Sequence, residues 1–333
     1  MFTYQVRPRS FKIDSPLSFP AEVEINFHLQ PKQPFGASAD GGRTAVFGKA
    51  ATMLFNLNSG AHTVKSKFPL DPLEVRIEDK SRVVEQNGNV LTITQRFDHL
   101  NDVQDFVTSL YFGFPILLNL AFADPPHVER VDGKIGDVPF RWELSEWKFR
   151  IKTTTQLKQE QCIVDSWSRL DVISNPKNRR LIGALHYFHI ACRLDRSSEQ
   201  PAEFLGEVIL NLAKTLECVF PPSGEEESAD AARCWLKKLG YSTNEIERDF
   251  IPAIYLRSNI DVAHVQLRVY TVEQLKTVHT YVENAEQKFQ EMLSRLLEKI
   301  ESGEITLDPY EFGDKNDNAD KVIRHIEENL QKS

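Results

Sequence analysis

The sequence predicts an α+β protein: a β-rich N-terminal domain with one covering helix, followed by an all-helical bundle. Three observations predict it. Apolar residues alternate strictly in Glu22-Val-Glu-Ile-Asn-Phe-His-Leu29, the two-residue period of a half-buried strand. An Asn87-Gly88 pair sits between two β-prone runs, a hairpin signal. From Asn175-Pro176 onward the apolar spacing changes to three and four.

The strands come first. Val23, Ile25, Phe27 and Leu29 form one apolar face, and Leu73, Val75 and Ile77 repeat the pattern. Val83 to Val90 and the following Leu91-Thr-Ile-Thr read as the hairpin. Val138–Leu144 and Trp147–Lys152 read as two further strands. Between them, Asp102 to Phe122 has helical spacing through Val103, Phe106, Leu110 and Phe114. Asn101 or Asp102 is the candidate N-cap, and Pro115 is expected to kink or end the helix. This helix is expected to cover one face of the sheet.

The helices follow. Asn175-Pro176 places a cap before a first-turn proline and opens a helix through Leu181, Leu185, Phe188 and Cys192. Gln200-Pro201 opens a second, through Phe204, Val208, Leu212 and Leu216, closed by Pro221-Pro222. Ala229 to Leu239 is a third, with Gly240 just beyond its end. Ser242-Thr-Asn-Glu245 and Thr271-Val-Glu-Gln274 are capping boxes. The longest apolar stripe runs through Leu275, Val278, Val282, Ala285, Phe289, Met292, Leu296 and Ile300, and Gly303 ends it. The expected divisions are a β-rich domain over 1–172, a bundle over 173–304 and an acidic tail over 305–333 with a short helix.

Composition narrows the function classes. The chain has 333 residues, 41% hydrophobic and 26% charged, the balance of a globular protein. The formal net charge is −8, so general nucleic-acid binding is disfavoured and any action on RNA requires a local site. No run of about 18 apolar residues predicts a membrane helix, and the N-terminal segment has no signal-peptide pattern. Cys162, Cys192, Cys218 and Cys234 form no CxxC pair. Three of them lie in apolar helical patterns and read as small buried side chains, which points to a reducing, cytoplasmic setting. His186 and His189 have helical metal-pair spacing but no complementary third ligand. Asp314 to Asp320 lacks the glycine and terminal glutamate of a calcium loop. No metal or other cofactor is expected.

One segment carries candidate chemistry. After Pro252, Ala253, Leu256, Ile260, Ala263 and Leu267 form an apolar stripe, and Arg257, Asp261, His264 and Arg268 a polar one. Residues seven apart lie nearly in register on a helix, about 10 Å apart along the axis. Arg257 and His264 can therefore address one bound group. Histidine serves as acid or base near neutral pH, and arginine offers a charged planar fork to phosphate oxygens. RNA brings its own nucleophile, the 2′-OH, so this pair suits RNA cleavage without a metal. Asp261 either orients one partner or forms an intrahelical ion pair with Arg257. Arg179 and Arg180 also precede His186, at seven and six residues, and read as a basic helix start.

The run Arg257-Ser258-Asn-Ile-Asp-Val-Ala-His264 resembles the signature of HEPN domains, an arginine, a polar residue and a histidine after four to six intervening positions. Its setting, a long terminal helix after it and Asn211-Leu-Ala-Lys-Thr-Leu-Glu217 before it, looks like the ApeA-like branch, covering residues 176–303. The sequence departs from that pattern at Val265, where members often carry glycine, and at Ser258, where asparagine is common. The resemblance implies a HEPN-like bundle acting as a homodimeric, metal-independent endoribonuclease in a defence or toxin setting. Catalytic Arg257 and His264 would act with supporting Ser258 and Asp261, and Glu217 is a further candidate. RNA is the implied substrate, and the N-terminal domain would recognise a separate ligand or protein partner. The alternative is a HEPN module that dimerises or binds RNA or a nucleotide without catalysis.

Overall fold

The computed structural model describes residues 8–32, 35, 44–47, 51–55, 62–66, 73–120, 126–145, 155–197, 203–223, 227–257, 270–307 and 317–330. The chain divides into two compact units that part after residue 148. The first is β-rich and the second helical, an α+β protein as the change of apolar period predicts.

In the N-terminal unit the strands are β1 (Arg9–Ile13), β2 (Ala21–Gln30), β3 (Thr44–Phe47), β4 (Ala51–Phe55), β5 (His62–Ser66), β6 (Glu74–Glu78), β7 (Arg82–Asn87), β8 (Val90–Phe97), β9 (His127–Ile135) and β10 (Val138–Leu144). Seven form an antiparallel sheet in the order β1-β10-β9-β2-β8-β7-β6, and β3-β4-β5 form a separate three-stranded sheet. The alternation in β2 holds: Val23, Ile25, Phe27 and Leu29 are all buried. They meet Leu91 and Ile93 of β8 and Val131 and Ile135 of β9. Gly133 sets how closely β9 approaches, since a Cβ there would stand 1.9 Å from the Glu24 carbonyl oxygen.

Helix α1 (Leu100–Leu118) covers this face with Val103, Val107, Tyr111 and Pro115. It starts at His99 without a side-chain cap, so neither Asn101 nor Asp102 caps it. Its buried residues step by four, displaced from the Phe106-Leu110-Phe114 stripe, whose members are only half-buried. Pro115 is packed inside the helix and does not end it. The Trp142 indole N–H donates to Gln104 Oε1 on α1 at 3.1 Å, which ties β10 to the helix. The β7–β8 loop is Gly88-Asn89, one residue later than the Asn-Gly reading, with Gly88 at φ 54°. β6 is an edge strand, so Val75 and Ile77 are exposed despite their alternation. The expected strand over Trp147–Lys152 lies outside the described residues.

The helical unit begins with α2 (Gln156–Ser168) and α3 (Leu170–Ser174), in a stretch that sequence patterning assigns to the β-rich domain. No residue of α2 is buried, so no apolar stripe packing against a core announces it. A short 3₁₀ turn, capped by the Asn175 side chain on Lys177 N, leads to α4 (Arg179–Ser197). Then come α5 (Leu205–Val219) and α6 (Ser228–Lys238). The helix start expected at Gln200-Pro201 falls outside the described residues. Gly240, at φ 89°, follows α6. Both capping boxes are present, at Ser242 before α7 (Thr243–Glu245) and at Thr271 before α9 (Val272–Glu301). The stripe of α9 packs as its spacing requires, with Leu275, Val282, Ala285, Phe289, Met292 and Leu296 buried. The acidic tail carries α10 (Asp317–Leu330), whose side chains from Lys321 to Glu328 are exposed. Among the described residues no helix is long and apolar enough to cross a membrane.

Between α7 and α8 (Ile251–Arg257) the chain does not break, although Pro252 suggests a new start. Ile246–Phe250 form a π-helical turn that runs straight into α8. Proline lacks an N–H and its ring crowds the carbonyl four residues back, and the wider turn relieves that crowding. The Ile251 N–H accordingly reaches back five residues to the Ile246 carbonyl. From α9, the Tyr281 hydroxyl donates to the Asp249 carbonyl at 3.3 Å. Burial holds the Tyr281 phenol well above its ordinary pKa.

Candidate functional site

Helix α5 is the centre of the helical unit. Ten of its residues are buried, among them Ile209, Leu212, Ala213, Leu216 and Val219. A strip through Glu207, Leu210, Lys214, Glu217 and Cys218 is open to solvent, fully at Glu207 and partly at the others, at spacings of three, four, three and one. Helix α4 packs along one side of α5, and α8 also packs against it.

Arg257, the last described residue of α8, forms an ion pair through Nη1 with Oε1 of Glu217. Both side chains are about one-quarter exposed, 26% and 24%. The α8 residues Ile251, Ala253 and Ile254 are buried against the bundle, which fixes the helix that carries Arg257. Sequence spacing offers Asp261 as an ion-pair partner for Arg257. Among the described residues its partner is Glu217, forty residues earlier in the chain. Ser258, Asp261 and His264 lie outside the described residues.

The α4 side of the strip also carries cations and an aromatic ring. Arg180 donates through Nη1 to the Cys218 carbonyl at 3.5 Å, and the Cys218 thiol donates to the Arg180 carbonyl at 3.1 Å. One turn up α5, the Lys214 ammonium lies 5.4 Å from the centre of the Tyr187 ring, within cation–π range. Gly183 lets the two helices approach, because a Cβ there would stand 2.5 Å from Cys218 Sγ. Arg179 and Arg180 open α4, the basic helix start that the sequence suggests, and Arg180 also reaches the carbonyl end of α5.

Arg233 is engaged differently. Its fork grips Glu247 at 2.6 and 3.1 Å and Asp230 at 2.8 Å, and Nη2 approaches the Tyr255 hydroxyl at 3.4 Å. The hydrogen bonds from Arg233 hold the Glu247 carboxyl below the usual range. This is a clamp between α6 and the π turn. Arg257, by contrast, lies on α8 and pairs with Glu217 on α5.

The cysteines differ from the buried placement expected of them. Cys162 and Cys234 are exposed, Cys192 and Cys218 half-buried, and all four are free thiols. Cys162 lies on α2, which buries nothing, and Cys192, Cys218 and Cys234 lie off the buried stripes of α4, α5 and α6. His186 and His189 lie on α4, outside its buried stripe. Among the described residues no group of three or more His, Cys, Asp or Glu side chains stands ready to hold a metal. The residues 317–320, at the end of the calcium-loop-like stretch, open α10.

A second polar cluster, missed from sequence, lies in the N-terminal unit on the sheet face opposite the buried face of β2. His28 Nε2 stands 3.0 Å from Asp132 Oδ2, and Arg130 Nε 2.8 Å from the same oxygen. Asn26 donates to Asp132 at 3.4 Å and accepts from the Thr92 hydroxyl at 2.8 Å. The register Thr92–Asn26–Asp132 across β8, β2 and β9 builds this row. Alternation of β2 announces its polar face, but Thr92 and Asp132 come from strands 66 and 106 residues further along the chain.

Comparisons of the chain with protein-family models, with curated proteins and with solved structures find no match. The chemistry of the strip on α5 then rests on its own side chains.

Proposed function

We propose that the helical unit is a metal-independent endoribonuclease of HEPN type, with Arg257 and His264 as its catalytic residues. The observation that carries this reading is the placement of Arg257: in the last described turn of α8, partly exposed, with its guanidinium paired to Glu217. A guanidinium so held is oriented before substrate arrives, and an oriented donor stabilises developing charge without reorganising. The Arg-polar-His run of the sequence supplies His264 seven residues on.

In this reaction the 2′-oxygen of RNA attacks the adjacent phosphorus. The O2′–P bond forms and the P–O5′ bond breaks. A general base takes the 2′-hydroxyl proton and a general acid gives a proton to the leaving O5′. Arg257 binds the non-bridging oxygens, where negative charge accumulates. One His264 per chain supplies either the base or the acid, so a homodimer sharing one groove supplies both. Ser258 and Asp261 are the supporting polar residues. The N-terminal unit then serves to recognise a ligand or protein partner, and the HEPN resemblance suggests a cytoplasmic defence or toxin role.

The test is cleavage of labelled RNA in excess EDTA by the parent chain, Arg257→Ala and His264→Ala. The parent is expected to cleave. Loss of the guanidinium should cost about 10²–10³-fold and loss of the imidazole about 10²–10⁴-fold. Cleavage that survives both substitutions, or that requires a divalent ion, rejects the mechanism. A second reading, RNA binding or dimerisation without catalysis, is favoured by one observation: Glu217 already neutralises Arg257. RNA binding by a parent chain that never cleaves is the result it expects.

A further inference from the structure

The half-open strip of α5 collects cations in a chain whose net charge is −8. Between positions 214 and 218 it meets Lys214, Arg180 and Arg257, with Glu217 as the carboxylate among them. The floor is fixed, because α5 is buried on its other faces. Lys214 lies one helical turn from Glu217, about 5 Å along the axis. Its ammonium is held over the Tyr187 ring, which limits its rotamers without neutralising its charge. Arg180 adds positive charge on the α4 side. The three cations outnumber the two carboxylates of the same strip, Glu207 and Glu217, and clustered cations give affinity for a polyanionic single strand through counterion release even when the whole protein is acidic.

We infer that the strip of α5 beside α4 is the path of the RNA backbone, and that Lys214 binds the phosphate next to the one held by Arg257. This rests on the ribonuclease reading of Arg257 and assigns Lys214 the role of a positioning residue. Tyr187 holds the Lys214 ammonium in place. The Arg180 charge strengthens the field along the same path.

The experiment measures binding of a fluorescein-labelled single-stranded RNA of about 20 nucleotides by anisotropy, across a series of KCl concentrations. It uses the full chain carrying His264→Ala, with and without Lys214→Gln or Lys214→Arg. Thermal melting checks that each variant is folded. Lys214→Gln is expected to weaken binding roughly five-fold near 0.1 M salt and to reduce the slope of log K against log salt by about 0.7, one single-strand phosphate contact. Lys214→Arg is expected to keep both. A Lys214→Gln chain with unchanged affinity and slope overturns the inference. If EDTA-resistant cleavage by the parent still depends on Arg257 in that case, the ribonuclease reading stands and only the path fails. If the parent neither binds nor cleaves the RNA, both fall.

Discussion

Arg257 and Glu217 show what one residue pair contributes and what it leaves open. Neither charge is deeply buried, so the pair is worth little as a stability element, typically under about 1 kcal/mol at such exposure. Its consequence is orientation of a fork near the half-open strip. The cysteines give a separate check on packing at this scale. Burial pushes the Cys218 thiol up, and burial with the nearby Glu286 charge pushes Cys192 up. Raised thiols hold less thiolate at a given pH and react more slowly. At pH 8, iodoacetamide should therefore label Cys162 and Cys234 well before Cys192 and Cys218, as read by peptide mass spectrometry. Equal rates at all four would contradict the packing of α4 on α5. The sequence makes Arg257 visible as a candidate and Glu217 as a further one, but not that the two form a pair. A partner forty residues away becomes visible only once α5 and α8 are packed together.

At the scale of elements, the α4–α5 contact determines the width of the strip. Gly183 faces Cys218 Sγ so closely that an added methyl has no room unless the thiol moves. Gly183→Ala should destabilise the chain by about 1–3 kcal/mol through overpacking, measured by urea unfolding. Adding Cys218→Ala removes the obstructing sulfur and should recover most of that loss. A Gly183→Ala chain as stable as the parent would show that the helices are not in such close contact. Much at this level is legible without coordinates. Capping boxes at Ser242 and Thr271, the stripe of α9 and the alternation of β2 are local patterns, and local physics fixes them. The misses have non-local causes. Helix α2 buries nothing, so burial left no mark on its sequence. The π turn before Pro252 reads as a helix break because sequence alone does not tell a widened turn from an end. The exposure of Val75 and Ile77 follows from the edge position of β6, which only the order of strands reveals.

For the molecule as a whole, two units of different class follow one another in a single chain, and the change from period two to period 3.6 is readable without coordinates. The boundary is not: the compact units part after residue 148, while sequence patterning places it at 172 because α2 and α3 carry weak helical patterning. In the proposed site, one described residue, Arg257, is joined to the sequence neighbours that complete it. The chemical signature of that site is independent of how it is assembled. Attack by the 2′-oxygen leaves a 2′,3′-cyclic phosphate on one fragment and a 5′-hydroxyl on the other, with no water or metal consumed in the step. Mass spectrometry of the fragments produced in excess EDTA reads those ends directly. Cyclic phosphate and 5′-hydroxyl termini that disappear with Arg257→Ala are the predicted result. Fragments ending in 3′-hydroxyl and 5′-phosphate would contradict it.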